Sequence, residues 1–273
     1  DTTTNPVNVI VGATINFATT DLCEGAISVF NDQTTNPYQT TIVGYTWDFG
    51  DGATSTLQNT THTYATAGNY VAELRLDYGS NCADSLSKPL SIKAKPVADF
   101  TSTTPCVGND LLVNDASTPA GTLVAWAWDL GDGTQATTQN GAHNYAAAGN
   151  YNAQLAVTTT DGCKDTVQKQ VTVLGFSQAQ FTTLPVCYPN ATQFTNTTDV
   201  TTYPVSNFSW TFGDGTGTST QPDPSYGYLS TGTFTATLIA NFANGCADSG
   251  TAQAIVYEIP TVTSSITDAS CFG

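Results

Sequence analysis

Apolar and polar residues alternate along this chain in short runs. Tyr70, Ala72, Leu74 and Leu76 take every second position, as do Tyr45, Trp47 and Phe49. That is the period of a strand with one buried face. No stretch has the period of an amphipathic helix. The pattern predicts strands over Ala13–Ala18, Ile27–Asn31 and Ile42–Phe49, then short ones near Ser55 and over His62–Tyr64. Long strands follow over Tyr70–Asp77 and Leu86–Ile92. Seven strands with turn residues every 8–12 positions indicate an all-β sandwich.

The pattern then repeats. Trp47-Asp48-Phe49-Gly50-Asp51-Gly52 returns as Trp128-Asp129-Leu130-Gly131-Asp132-Gly133 and as Trp210-Thr211-Phe212-Gly213-Asp214-Gly215, with the Trp residues 81 and 82 positions apart. A period this regular marks a repeat array. We place units at 12–94, 95–174 and 175–258. Residues 1–11, where Val7, Val9 and Val11 alternate, read as the last strand of a preceding unit. Residues 259–273 read as the first strand of a following one. Linkers of a few residues predict units that abut end to end. Asp51-Gly52, Asp132-Gly133 and Asp214-Gly215 supply the turn of each hairpin, because Asp-Gly tolerates positive φ. Trp47, Trp128 and Trp210 anchor the sandwiches.

The motif, followed by His62-Thr63-Tyr64 and Gly68-Asn69-Tyr70, and again by His143-Asn144-Tyr145 and Gly149-Asn150-Tyr151, resembles the polycystic kidney disease (PKD) domain. The third copy departs from it, with Thr211 for the first Asp and Tyr226-Gly227-Tyr228 for the His segment. The resemblance implies a tandem array of Ig-like (PKD) β-sandwiches in an extracellular protein, as spacer, adhesive stalk or accessory module. Ser270-Cys271-Phe272-Gly273 is similar to the opening of repeats in Bacteroidetes surface and gliding adhesins.

Seven cysteines form two interleaved series: Cys23, Cys106, Cys187 and Cys271, and Cys82, Cys163 and Cys246. No Cys/His spacing suggests zinc, and disulfides are the natural use. Pairing within units would join Cys23–Cys82, Cys106–Cys163 and Cys187–Cys246. In an Ig-like sandwich, however, the two members would sit at opposite ends, about 20 Å or more apart, against the ~7 Å a disulfide allows between Cα atoms. A staggered scheme pairs Cys23–Cys163 and Cys106–Cys246 between neighbouring units, and leaves Cys82, Cys187 and Cys271 unpaired or reaching to neighbours. We favour the staggered scheme. A rearranged first strand would permit the other.

Composition narrows the partners. Six basic residues against 22 acidic ones give a formal net charge of −16, which argues against nucleic acid and anionic membranes. No apolar run reaches the ~18–20 residues of a membrane span, so no membrane insertion is expected. The chain has no Met and reads as a mature or excised piece of something longer, secreted or on a bacterial cell surface.

No constellation of catalytic residues stands out. Asp48 and Asp51 could ligate Ca²⁺, but that ion takes six or more oxygens, and turn-bonding Asp residues are the preferred reading. His62 and His143 are read as packing residues, because Tyr226 replaces them in the third unit. Tyr45, Trp126 and Phe208 could make a sugar platform, but their alternation with the core side argues that they are mostly buried, and core packing is the preferred reading. Ser85 and Thr166, each after an Asp and before an apolar residue, are similar to a Bacteroidetes O-glycosylation sequon, as is Thr2. We therefore expect no catalytic site, no metal and no cofactor. Two functions remain: a stiff, disulfide-joined stalk or filament segment, whose partners are neighbouring units or identical subunits end to end, or a carbohydrate- or protein-binding accessory module of a secreted hydrolase. A surface polysaccharide or a protein is the candidate ligand.

Overall fold

A computed structural model describes residues 13–20, 22–37, 39–79 and 82–261. The strand expected at 7–11, Thr2, Cys271 and most of 259–273 lie outside them. The described residues form strands and one 3₁₀ turn, Ala120–Thr122, with no α-helix. The first repeat comprises β1 (Phe17–Thr20), β2 (Ile27–Asp32), β3 (Gly44–Asp48), β4 (Thr54–Ser55), β5 (Thr60–Thr63), β6 (Gly68–Gly79) and β7 (Cys82–Ile92). They make two antiparallel sheets, ordered β1-β2-β5 and β4-β3-β6-β7.

The alternation in β6 shows why these residues are strands. Ala72, Leu74 and Leu76 are fully buried, while Val71 and Arg75 point outward. Phe17 and Phe30 from the first sheet meet Trp47 from the second in edge-to-face contacts of 5.1 and 5.5 Å. Such rings bury much apolar area and prefer this geometry. Lys88 on β7 lays its ammonium over the Phe17 ring, 4.6 Å from the centroid, and donates to the Phe17 carbonyl.

The second repeat supplies β8 (Phe100–Ser102), β9 (Leu111–Asp115), β10 (Leu123–Asp129), β11 (Gln135–Ala136), β12 (Gly141–His143), β13 (Gly149–Thr159) and β14 (Lys164–Val173). Their orders are β12-β9-β8 and β11-β10-β13-β14. The third supplies β15 (Phe181–Thr183), β16 (Val186–Cys187), β17 (Thr192–Asn196), β18 (Val205–Thr211), β19 (Thr218–Ser219), β20 (Ser225–Tyr226), β21 (Gly232–Phe242) and β22 (Ala247–Tyr257). Their orders are β15-β17-β20 and β16-β22-β21-β18-β19, with β16 parallel to β22. The third core gathers Phe194, Trp210, Phe212, Leu238 and Val256.

Two compact units emerge. Among the described residues, one takes those up to 101 with 113–141 and 152–169, and the other takes 102–112, 142–151 and those from 170 on. The division runs through the second repeat. Strand ends differ from the sequence reading. The first strand starts at Phe17, because Thr14 makes only an isolated bridge to Thr35. The closing strand starts at Cys82 instead of Leu86, because its ladder with β6 continues past the end of the apolar alternation.

Candidate functional site

The repeated turn is a backbone device. The indole N–H of each motif Trp donates to a carbonyl two residues past the short strand that follows the turn: Trp47 to Leu57 at 2.9 Å, Trp128 to Thr138 at 2.9 Å and Trp210 to Gln221 at 2.8 Å. Asp48 accepts from the Gly50 N–H and Asp129 from the Gly131 N–H. Asp51 accepts from the Ala53 N–H, Asp132 from the Thr134 N–H, and Asp214 from the N–H groups of Thr216 and Gly217. The carboxylates of the motif thus bond to their own turns. Among the described residues no group of three or more His, Cys, Asp or Glu could hold a metal ion.

Sequence reasoning singled out the second glycine of each motif, but the first is the more constrained. Gly50 has φ +80°, and a Cβ there would lie 2.5 Å from the Val71 carbonyl oxygen. Gly131 and Gly213 repeat this against Asn152 and Thr235. Gly52 also has positive φ, but a Cβ there would meet nothing within 4 Å. The first glycine lets the turn lie directly on the neighbouring strand, a contact between segments that spacing alone does not reveal.

His62 stacks flat on Phe49 at 4.2 Å, meets Tyr64 edge-on at 4.6 Å, and places Nε2 2.7 Å from Asp51 Oδ2. In the third repeat Tyr226 does the same work. It stacks on Phe212 at 4.2 Å, meets Tyr228 edge-on and donates its hydroxyl to Asp214. Either ring fits because the position asks only for a flat ring with a polar tip. The Tyr226 hydroxyl and the Gly217 N–H hold the Asp214 carboxyl down to about 2. Burial pushes the Asp51 carboxyl up, but the His62 and Ala53 hydrogen bonds outweigh it and leave it below the ordinary range. Burial, reinforced by these carboxylates, pushes Tyr64 and Tyr228 up to about 12.

Tyr45, Trp126 and Phe208 are half-buried, flanking the core more than filling it. The Trp126 indole donates to Asp115 at 2.8 Å. Ser85 and Thr166 are exposed. The Asp84 carboxylate takes the Ser85 N–H, and the Asp165 carboxylate takes the Ala98 N–H and pairs with Lys95 at 3.0 Å.

Cys23 is bonded to Cys163 and Cys106 to Cys246, with Cα–Cα distances of 5.7 and 5.8 Å and a sequence separation of 140 in both cases. Cys82 and Cys187 carry no disulfide among the described residues. The strands explain the arrangement. Cys23 bridges Lys93, just past the end of β7, whereas Cys82 opens that strand. Eleven residues of strand at ~3.3 Å each set them about 35 Å apart, far beyond disulfide reach. Cys106 bridges Leu174, just past β14, while Cys163 immediately precedes it.

The PKD domain model matches residues 13–94, 93–173 and 180–256. Polycystin-1 of Homo sapiens is 28% identical over 209 residues, covering 71% of this chain and 5% of that protein. The chain therefore spans a small fraction of this relative's length. The PKD1 domain of Vibrio anguillarum Epp is 29% identical over 29% of this chain and 93% of its own, with a TM-score of 0.27. The three N-terminal domains of the bacteriophage RB49 outer capsid protein Hoc share 12% identity over 91% of this chain and all of theirs, at a TM-score of 0.38. PKD and Ig-like domains are typically non-catalytic accessory modules, and the two disulfides fit an extracellular setting. With family matches covering most of its length, the chain belongs to the PKD domain family and carries three tandem copies.

Proposed function

We propose that this chain is a non-catalytic, load-bearing segment of an extracellular surface protein, a stiff stalk of PKD repeats on a bacterial cell surface. The observation that carries this reading is the stagger of the two disulfides. Cys23 and Cys163 form one covalent node, and Cys106 and Cys246 form another. Three chain segments run in parallel between these nodes: 23–106, 106–163 and 163–246. A pull along the array is shared among three covalent paths, and breaking one or two leaves the nodes connected. A stalk exposed to force and proteases gains from such redundancy. An enzyme or a single-site binding module has no evident use for it.

Cleavage at both linkers tests the connectivity. Specific protease sites placed within 94–96 and 176–178 cut two of the three paths. The doubly cut protein is expected to run as one 28.5 kDa species without reductant and as three fragments with it. Three fragments without reductant would sink the proposal. Electron microscopy of native surface material separates stalk from module: thin rods or fibrils support the stalk, and short particles that bind a polysaccharide overturn it.

A further inference from the structure

The two bridges sit in the same backbone setting but in different chemistry. Cys23 pairs in parallel with Lys93 and Cys106 with Leu174, each just past the end of a closing strand. In both cases the next residue's N–H donates to that partner's carbonyl, at 2.8 and 2.7 Å. The other halves of the bridges match as well. The Thr159 N–H donates to the Cys163 carbonyl at 2.9 Å, and the Phe242 N–H donates to the Cys246 carbonyl at 2.8 Å. Residue for residue, Lys93, Lys95 and Thr159 around the first bridge stand where Leu174, Phe176 and Phe242 stand around the second.

That exchange decides what surrounds the sulfurs. Cys106, Leu174 and Phe176 pack against the third repeat's core, which includes Cys246 and Phe242, and Phe176 lies 6.1 Å from Phe242. Around Cys23–Cys163 the Lys93 and Lys95 side chains are 45% and 47% exposed. They turn to carboxylates instead, Lys93 to Asp161 at 3.8 Å and Lys95 to Asp165 at 3.0 Å. The Thr159 hydroxyl accepts from the Cys163 N–H at 3.1 Å. Groups that favour water thus take the place of an apolar cover. Cys23 and Cys163 both line a cleft of about 530 Å³, together with Glu24, Lys95, Gly162 and Lys164.

We propose that the Cys23–Cys163 bridge is a thiol-exchange site that takes a low-molecular-weight thiol from this cleft, while Cys106–Cys246 is shielded from the same reagent. Rates of exchange follow access to the sulfur and the ease with which the other sulfur leaves. Cys23 is half-buried and Cys163 is 1% exposed, so the incoming thiolate attacks Cys23 Sγ. The S–S bond breaks and Cys163 leaves as a thiolate, next in sequence to the Lys164 ammonium, which favours that charge. A second small thiolate attacks the outer sulfur of the mixed disulfide and releases the Cys23 thiolate. One protein disulfide is reduced to two thiols, and two small thiols are oxidised to one disulfide. Exchange removes one of the two covalent ties between repeats and leaves the other in place. The proposal goes beyond the stalk reading and does not depend on it.

The test exposes the full, folded chain to reduced glutathione for graded times. Freed thiols are blocked with one alkylating reagent, the remaining disulfides are reduced and blocked with a heavy form of it, and mass spectrometry reads each cysteine. Cys23 and Cys163 should take the first label roughly tenfold faster than Cys106 and Cys246, with a glutathione adduct on Cys23 at early times. Giving the first bridge the apolar residues of the second, with Lys93→Leu and Lys95→Phe together, should slow its opening several-fold, roughly toward the rate of Cys106–Cys246. Equal rates for the two bridges in the parent, or faster opening of Cys106–Cys246, overturn the proposal, and this comparison lies within one molecule and needs no variant. An unchanged rate in the double variant, with thermal unfolding as in the parent, overturns the assignment of the difference to these residues. Either failure leaves the pairing of the cysteines and the linker-cleavage result standing, so it is distinguishable from failure of the stalk reading.

Discussion

Stretching the protein between handles at its two ends reads the disulfide network directly. Cys23 and Cys246 are 223 residues apart (246 minus 23), and at ~3.5 Å per residue the reduced, unfolded chain between them reaches about 780 Å. With both bridges intact the shortest covalent path is Cys23 to Cys163 through sulfur, back along the chain to Cys106, and through sulfur to Cys246. That path holds only 57 residues (163 minus 106), so the tether goes taut at about 200 Å. The assay is single-molecule force spectroscopy with and without reductant, and the expected gain on reduction is about 580 Å. Replacing Cys106 and Cys246 by Ser leaves 83 residues (246 minus 163) between the remaining node and position 246, or about 290 Å. Pairing within repeats would instead leave 164 residues (246 minus 82) in that variant, or about 570 Å. A measured length near the larger figure would refute the staggered network and the load-sharing built on it.

Other consequences can be read on the repeats themselves. Gly50→Ala should cost about 3 kcal/mol or more, because positive φ and contact with the Val71 carbonyl oppose it together. Gly52→Ala should cost only about 1 kcal/mol, and denaturant titrations that rank the two equally would contradict the close-approach argument. His62→Tyr should leave stability within about 1 kcal/mol of the parent, while His62→Ala should lose roughly 1–2 kcal/mol of ring stacking and hydrogen bonding; thermal unfolding decides. Asp214, held at about 2 against an ordinary 3.8, favours the folded third repeat when ionised. Its contribution is present above pH 3.8 and is lost as pH falls through about 2. Tyr226→Phe should move the carboxyl titration, followed by NMR, back toward 3.8, and an unmoved titration would exclude the hydroxyl as its main cause.

Much of the architecture was legible because its signals are local. Alternation marked the strands, the period marked the repeats, and the motif gave the position of each hairpin. What stayed hidden depends on segments distant in sequence. Nothing around Gly50 says that Val71 lies against it, so the roles of the two motif glycines could not be ranked. Lys88 over Phe17 is a contact across 71 residues between two positions that look like ordinary strand surface. The cysteines fall between these cases. Their two series are plain in the sequence and strand length weighs against pairing within a unit, but a shift of the first strand would have brought such pairs within reach. In this structure strand β7 lies between Cys23 and Cys82, and the parallel bridge to Lys93 puts Cys23 beside that strand's far end.

The same strand length explains why the stagger suits a stalk. Each sandwich puts one cysteine before or at the start of its closing strand and the other beside that strand's end, so a bridge within the repeat is out of reach. Each bridge that does form crosses a joint. At the second joint Leu174 and Phe176 pack against the third repeat's core, and near the first Lys95 pairs with Asp165, so each bridge adds a covalent tie to a joint held by a few side-chain contacts. A bridge within a repeat would reinforce the part already held by its own core. A bridge across the joint ties two repeats that their separate cores do not join covalently. The middle repeat carries one cysteine of each bridge, Cys106 and Cys163, and the shortest covalent path runs through it backwards. If that repeat unfolds under load, the slack it can release is bounded by its own 57-residue segment (163 minus 106). The flanking segments remain as two further tethers in parallel.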